Sequence, residues 1–454
     1  MRDKLSPQSQ LFYSSIHTLI TNILSIIIGL VSSIVIARWF GPTVKGNYDL
    51  IITTSALLVT FFGLSFQSGI VYVVARRHLA ATSTLLHLSV IALLQTSLAI
   101  AALVGLSNTA LALALMPPRS EEWAAAAVVF LVLGNLLSGY YRGILIGLQE
   151  IPRVNVVNLC GQTTMLCAIL ISVFLAWNND QQFSSQALIC FQIGSTMLMA
   201  ALTLWMLKSR LTGSIWGDSG ISEISRYSLP SYFANLAQFL NYRLDIFFVS
   251  YFVGVTEVGL YSLAVNIAQL LWLISNSLSQ ALFTNVAYSS ERIAAQQRTA
   301  HASRVSLWLS IMSALGLAAV GEFLLPLVFG SAFLESIPAL LWLLPGITVF
   351  SVTNVIGSYL AGIGKPHLNL AVSLIGLIVT VVMDIALIPK MGIVGAAIAS
   401  SASYLATTSA IVVIFARESK MSILDVLLIS RNDLRALYAI LARRVYETKD
   451  PCYF

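Results

Sequence analysis

Arg38–Leu50 reads RWFGPTVKGNYDL, and Tyr251–Leu263 reads YFVGVTEVGLYSL. A displacement of 213 residues lays Gly41 on Gly254, Thr43 on Thr256, Gly46 on Gly259, Tyr48 on Tyr261 and Leu50 on Leu263. The same displacement lays Asn22 on Asn235, Leu58 on Leu271 and Gln67 on Gln280. A displacement of 214 lays Gly143 on Gly357, Pro152 on Pro366 and Asn155 on Asn369. Single matches of Gly or Leu carry little in a chain rich in both. A constant offset over most of a half-chain carries more, and it identifies an internal repeat.

The 454 residues are 57% hydrophobic and only 10% charged. A soluble domain carries roughly 25% charge, so the chain reads as a polytopic membrane protein. Its four cysteines fit no metal spacing, and Cys160, Cys167 and Cys190 read as small core residues within apolar stretches.

Phe12–Ala37 is too long for a signal-peptide core and is expected to be a retained first span. Eleven further spans are expected at about 48–72, 84–106, 124–147, 155–177, 186–207, 229–252, 260–283, 304–328, 337–361, 368–388 and 393–416. Each can cross ~30 Å of hydrocarbon at ~1.5 Å per residue, and in lipid each must be a helix. With the N-terminus inside, 20 of the 25 Lys and Arg residues fall on the inner side; Arg38, Lys45, Arg119 and Lys390 fall outside. This asymmetry places both termini in the cytoplasm. It also explains the net charge of +6 as a topology signal rather than a nucleic-acid surface.

Six spans per repeat is an even number, so both halves enter the membrane in the same direction. They should be related by a pseudo-two-fold axis along the membrane normal. The expected fold is an all-α membrane protein of twelve transmembrane helices in two six-helix bundles, 1–208 and 228–416. A polar linker at 209–227 contains Gly213, Gly217 and Gly220, and suits a cytoplasmic hinge. A cytoplasmic tail follows at 417–454, where Leu434, Leu437, Tyr438, Leu441 and Val445 share a face. It reads as an interfacial amphipathic helix or as a frayed end.

Enzymatic motifs are missing. There is no Walker-type phosphate loop and no HExxH, and Gly362–Lys365 (GIGK) lacks a preceding strand and reads as a turn. No cofactor, metal or nucleophile constellation stands out.

Polar residues inside spans are the informative signal, because they are costly in lipid. In span 8, Ser262, Asn266, Gln269, Asn276 and Gln280 share a face at ~100° per residue. Span 7 offers Asn235, Gln238, Tyr242 and Asp245; span 11 offers Asn369, Ser373, Thr380 and Asp384. Span 1 offers Asn22 beside His17, Thr21 and Ser25, and span 5 offers Asn155, Asn158 and Gln162. Such residues either line a wet cavity or bond between helices at ~0.6–2 kcal/mol each. The five-residue stripe in span 8 favours the cavity.

Arg243 stands ~20 Å along the helix from Pro230, near mid-membrane or just beyond. It reads as a cation for an anionic substrate or as half of a structural ion pair. Asp245 points ~160° away from it, so each should meet a different helix. Asp245 is a candidate ion or proton coupler. Asp384 lies near the outer end of span 11 and is expected at the interface, while Asp49 and Glu322 are expected to be solvated. Gly41, Gly46, Gly254 and Gly259 read as turn residues between paired spans.

At these words the chain resembles a known family. Ala37–Leu50 is similar to the A-R-x-L-G-P-x-x-x-G-x-Y signature of bacterial polysaccharide-export proteins, with Phe40 in place of Leu. Tyr227–Ala264, AGIGKPHLN (Ala361–Asn369) and LIPKMGIVGAAIAS (Leu387–Ser400) resemble further words of that family. Its members include O-antigen and capsule repeat-unit flippases of the multidrug/oligosaccharidyl-lipid/polysaccharide exporter superfamily. Asp384 departs from a common Asn, and Thr284–Asn285 from a frequent Pro.

The resemblance implies two six-helix bundles in a V around a central cavity, in a bacterial inner membrane. It implies flipping of an undecaprenyl-pyrophosphate-linked oligosaccharide by alternating access, with coupling to H⁺ or Na⁺ and delivery to a polysaccharide polymerase or ligase. Arg243 would then meet the phosphate. Asn22, Asn235, Gln238, Tyr242, Asn266, Gln269, Asn276 and Gln280 would line the sugar path, and Asp245 and Asp384 would couple an ion. Two other readings stay open: a cation-coupled multidrug exporter of the same superfamily, and a non-transporting scaffold of a glycan-assembly complex.

Overall fold

The computed structural model describes residues 7–76, 81–117, 121–179, 184–208, 219–288 and 291–428, and every regular element among them is helical. The first half runs α1 (Pro7–Phe62), α2 (Phe66–Arg76), α3 (Ala81–Leu106), α4 (Ala110–Leu115), α5 (Glu121–Gly147), α6 (Ile151–Asn179) and α7 (Ser185–Lys208). The second runs α8 (Ile221–Phe252), α9 (Val255–Gln269), α10 (Trp272–Tyr288), α11 (Arg292–Phe329), α12 (Ser336–Gly362), α13 (Pro366–Ser419) and α14 (Ile423–Leu427).

Eight described helices are long and apolar enough to cross a membrane, and α9 with α10 forms a ninth candidate bent by 48°. Two of the eight are double, for α1 breaks at Gly41 and α13 at Gly392. The helix expected as span 7, α8, is outside that set because Asn235, Gln238, Asn241, Arg243 and Asp245 lower its hydropathy.

Large apolar side chains face outward throughout, with Phe174 65% exposed and Trp205 and Phe323 each 70%. In water such a surface would aggregate, whereas in hydrocarbon it is solvated. The protein is therefore a multi-pass membrane protein. Cys160, Cys167 and Cys190 lie on this exposed side, so the expectation of core cysteines was wrong. A thiol is apolar enough to face lipid.

Several boundaries differ from the sequence reading. The expected span 48–72 is interrupted, because α1 stops at Phe62 and α2 begins at Phe66. The stretch read as linker is helical from Ile221, while 209–218 lies outside the described residues. The amphipathic stretch of the tail also lies outside them.

The chain forms two compact units. The first comprises Met1–Leu263, Glu322–Ile337 and Asp384–Ala396; the second comprises Ala264–Gly321, Pro338–Met383 and Ala397–Phe454. The core of the first gathers Ile51, Phe66, Ile70, Leu88, Leu131, Tyr140 and Ile144. The core of the second gathers Val352, Ile356, Tyr359, Ile411 and Phe415.

The units cut across the repeat because, within the first, the two repeated words pack on each other. A Cβ at Gly46 would sit 1.9 Å from the carbonyl oxygen of Val255, and one at Gly259 would sit 2.0 Å from that of Pro42. Val255 is the repeat-mate of Pro42, and Gly259 that of Gly46, so the contact is reciprocal. Thr43 and Thr256 share a hydroxyl–hydroxyl hydrogen bond of 2.9 Å, and Ser262 donates to Asp49; each pair is 213 residues apart.

Residues that touch their own mates lie on a two-fold axis, as in an isologous interface. Positions 43, 46 and 49 do so over somewhat less than two helical turns, ~9 Å at ~1.5 Å per residue. Mates can stay in register that far only if both helices run along the axis. The pseudo-two-fold expected from the even span count is therefore present locally, parallel to these helices. Gly41 (φ 76°) and its mate Gly254 (φ 134°) make the turns that lead into them, in backbone that favours glycine. Gly46 and Gly259 are helical, not turn residues as the sequence suggested; they are small because another backbone lies against them.

Gly46→Ala and Gly259→Ala should each lower the thermal stability of the detergent-solubilised protein, by about 1–3 kcal/mol and to similar extents. Gly105→Ala, where nothing lies within 4 Å of an added Cβ, should stay within about 0.5 kcal/mol of wild type. A Gly46→Ala protein that melts with wild type would refute the seam.

Candidate functional site

Irregular backbone inside a membrane is tolerated only where protein buries it or water lines it. Interrupted helices at corresponding positions of two halves are accordingly good pointers to a transport site. Spans 2 and 8 are repeat-mates, and both are interrupted, although the break at Leu64–Ser65 maps onto Ser277–Leu278 rather than onto Leu270–Leu271. In the first unit, Leu64 (φ 48°) and Ser65 (φ 54°) adopt left-handed backbone between α1 and α2. The Gly63 amide still reaches the Val59 carbonyl at 2.9 Å, and Tyr140 donates its hydroxyl to the Gly63 carbonyl at 3.4 Å.

In the second half, α9 ends in tight turns from Leu270 to Ile267 and from Leu271 to Ala268, both 3.1 Å. Trp272 then starts α10 with its indole N–H on the Ile347 carbonyl at 3.0 Å. Its ring packs 5.2 Å from that of Phe350 and 5.7 Å from that of Tyr404. This aromatic clamp holds the bend.

The polar residues anticipated within the spans divide into two groups. Asn235 and Gln238 are exposed on α8. The Asn235 amide donates to the Ser65 hydroxyl at 2.9 Å, which ties α8 to the break between α1 and α2. Gln238 donates to the Tyr242 hydroxyl at 3.1 Å. Arg243 is half-buried and has no carboxylate partner among the described residues. In span 8, Asn266 lies exposed on α9 with Gln269 half-buried, and Asn276 and Gln280 lie exposed on α10. The 48° bend intervenes, so the stripe does not continue as one straight face. Asn22 is exposed on the first segment of α1.

Asp245 and Asp384 form the second group, and both are buried, at 3% and 0% exposure. Asp384 was expected at the interface; instead α13 carries it inside the first unit. Asp245 accepts from the Tyr261 hydroxyl at 2.5 Å and from the Ile246 amide at 2.8 Å. Both carboxylate oxygens of Asp384 are buried without a hydrogen-bond partner among the described residues. The carboxylates lie close enough to act on each other electrostatically. A buried carboxyl group with no hydrogen-bond partner, in the field of a second carboxyl group, is disfavoured in its charged form. The bare oxygens of Asp384 fit a proton or a monovalent cation.

Three features escaped the sequence reading. Arg142 counted only towards topology, yet it is half-buried, donating to Asn158 at 2.8 Å and to the Ser138 carbonyl at 3.1 Å. The repeated tyrosines prove to be donors to polar groups: Tyr48 to Gln192 at 2.9 Å, and Tyr261 to Asp245. Their repetition was the available signal. Asp49, expected to be solvated, pairs with buried Lys45 at 2.5 Å and also accepts from Ser262.

Comparison with known proteins agrees with this architecture. The structure resembles that of the lipid II flippase MurJ in an inward closed conformation, with a TM-score of 0.73 and 16% identity over 96% of this chain and 93% of that one. It also resembles an inward-facing multidrug resistance MATE family transporter of the MOP superfamily, at TM-score 0.68 and 13% identity over 90% and 99% of the two chains. At such identities these likenesses establish the fold alone.

Among sequences, the probable low-salt glycan biosynthesis flippase Agl15 of Haloferax volcanii is 24% identical over 231 residues, so the match spans only about half of each chain, 48% of this one and 49% of that one. The capsular polysaccharide biosynthesis protein CapF of Staphylococcus aureus is 22% identical over 84% of this chain and 93% of its own length. The family described as polysaccharide biosynthesis protein matches residues 51–338, well over half of the sequence, and the chain belongs to that family.

Proposed function

We propose that the protein is a flippase for an oligosaccharide joined through pyrophosphate to undecaprenol or a similar polyprenol. It moves that unit from the cytoplasmic to the outer leaflet of a bacterial inner membrane, by alternating access, for O-antigen, capsule or exopolysaccharide assembly. Both termini face the cytoplasm, and a polymerase or ligase takes the delivered unit.

The observation that carries this reading is Arg243, a half-buried guanidinium without a carboxylate partner among the described residues, next to exposed Asn235 and Gln238 on one helix. A structural arginine within a membrane would be expected to pair with an acid. An unpaired one is suited to the fork-like recognition of phosphate, and the amides to sugar hydroxyls. The polyprenol tail stays among the lipids, and the chain performs no bond chemistry. The names of the polysaccharide and glycan relatives support the same substrate class.

Coupling is assigned to Asp245 and Asp384. A proton or Na⁺ held there satisfies the oxygens of Asp384 and relieves its repulsion with Asp245. Releasing it leaves two carboxylates within each other's field, which favours a different packing of α8 and α13. The same pair is also what a cation-coupled drug exporter would use, and this is the second reading. A deletion strain hypersensitive to cationic amphiphiles, with surface polymer intact, would favour it.

Three outcomes test the proposal. Arg243→Ala, at normal protein abundance, should cut surface polysaccharide about tenfold or more and build up lipid-linked oligosaccharide on the cytoplasmic leaflet, with Arg243→Lys milder. Unchanged polymer would remove Arg243 from the site. In proteoliposomes, Asp384→Asn should abolish dependence of transport on a Na⁺ or proton gradient, and retained dependence would place coupling elsewhere. Oxidising a Thr43→Cys/Thr256→Cys pair should arrest transport reversibly, because the seam must part in an alternating cycle. Full activity of the crosslinked protein would argue against that cycle.

A further inference from the structure

At the end of the first unit that the Lys and Arg distribution assigns to the cytoplasm, α2 and α8 come into backbone contact. A Cβ at Gly69 would sit 2.3 Å from the Ser228 hydroxyl and 2.5 Å from the Ile224 carbonyl oxygen. This approach brings the next turn of each helix face to face. Tyr72 and Tyr227 stack with ring centroids 3.9 Å apart and planes within 11°. The Arg76 guanidinium covers Tyr72 at 4.7 Å from the ring centroid. Beside this stack opens a cavity of about 350 Å³, lined by Tyr72, Val73, Arg76, Glu223, Arg226 and Tyr227.

The lining is chemically selective. Neither Arg76 nor Arg226 has a carboxylate partner among the described residues. With Glu223 they leave one net positive charge. Two guanidinium groups present donors suited to phosphate oxygens. The tyrosine hydroxyls can meet hydroxyl groups on the same ligand. The volume is at the small end of the ~300–1,000 Å³ usual for ligand pockets, so it suits a headgroup rather than a whole oligosaccharide. Both arginines lie on exposed helix positions, as needed by a site that takes its ligand from a leaflet.

We infer that this cavity is a second, peripheral site for a phosphate-bearing, hydroxylated lipid headgroup. It is separate from the Arg243 face and stands whether or not the flippase reading holds. Two ligands share that chemistry: a polyprenyl pyrophosphate carrying sugar, and a hydroxylated anionic phospholipid such as phosphatidylglycerol.

The test is binding to the full chain in detergent, titrated with undecaprenyl pyrophosphate, with phosphatidylglycerol and with phosphatidylcholine. Arg76→Gln combined with Arg226→Gln should weaken at least one of the first two by about tenfold. Loss for the pyrophosphate alone assigns the site to the substrate class, and loss for phosphatidylglycerol alone assigns it to the surrounding leaflet. Glu223→Gln should tighten binding several-fold, a gain that misfolding cannot imitate. A double variant that binds both anionic lipids as wild type does, or a wild type that holds phosphatidylcholine as tightly, would overturn the site. Because the readout is binding and not surface polymer, that failure would leave the flippase reading standing.

Discussion

Two glycines, Gly46 and Gly259, let two helix backbones touch, and much of the described architecture depends on that contact. In lipid the hydrophobic effect does not drive helices together, so close van der Waals packing has to do so, and small residues permit it. Each glycine lies against the backbone of the other's helix. Thr43 with Thr256 and Asp49 with Ser262 extend the contact along both helices. The repeated word is thus a self-complementary surface, and its two copies bind each other as the subunits of a two-fold dimer would.

The repetition fails where perfect symmetry would be costly. Asp49 has Ser262 as its mate, and Lys45 has Val258. Two aspartates facing across the axis would repel in a low dielectric. One aspartate, neutralised by the buried Lys45 at 2.5 Å and accepting the Ser262 hydroxyl, forms a closed set. The difference between the two copies at this position avoids that like-charge conflict.

The cost of polarity in hydrocarbon also locates the remaining chemistry. Most polar side chains along the helices satisfy themselves locally, as Thr96 does on the Ala92 carbonyl and Thr407 on the Ser403 carbonyl. Among the described residues the charged exceptions include Arg243, which has no carboxylate partner, and Asp384, whose oxygens have no hydrogen-bond partner; buried hydroxyls such as those of Ser306, Ser310 and Tyr359 are also unsatisfied. For a charged group that penalty is larger than for a hydroxyl.

Hydropathy, the Lys and Arg bias and the constant offset between Arg38–Leu50 and Tyr251–Leu263 determined the membrane class, the helical fold and the repeat. They suffice because lipid forces helices on any long apolar run, and a duplicated bundle keeps its spacing. The intraspan residues Arg243, Asp245 and Asp384 were visible for the same reason, since any charge in an apolar run stands out. Tertiary structure alone decided what each one meets. Periodicity gives a side chain's direction on its own helix, not the neighbour it faces. The burial of Asp384 beside Asp245, the reach of Asn235 to Ser65 and the stacking of Tyr72 on Tyr227 all join residues distant in sequence. The breaks at Ser65 and Leu271 were equally hidden, because backbone bends when surrounding helices compensate it, and no local word records that compensation.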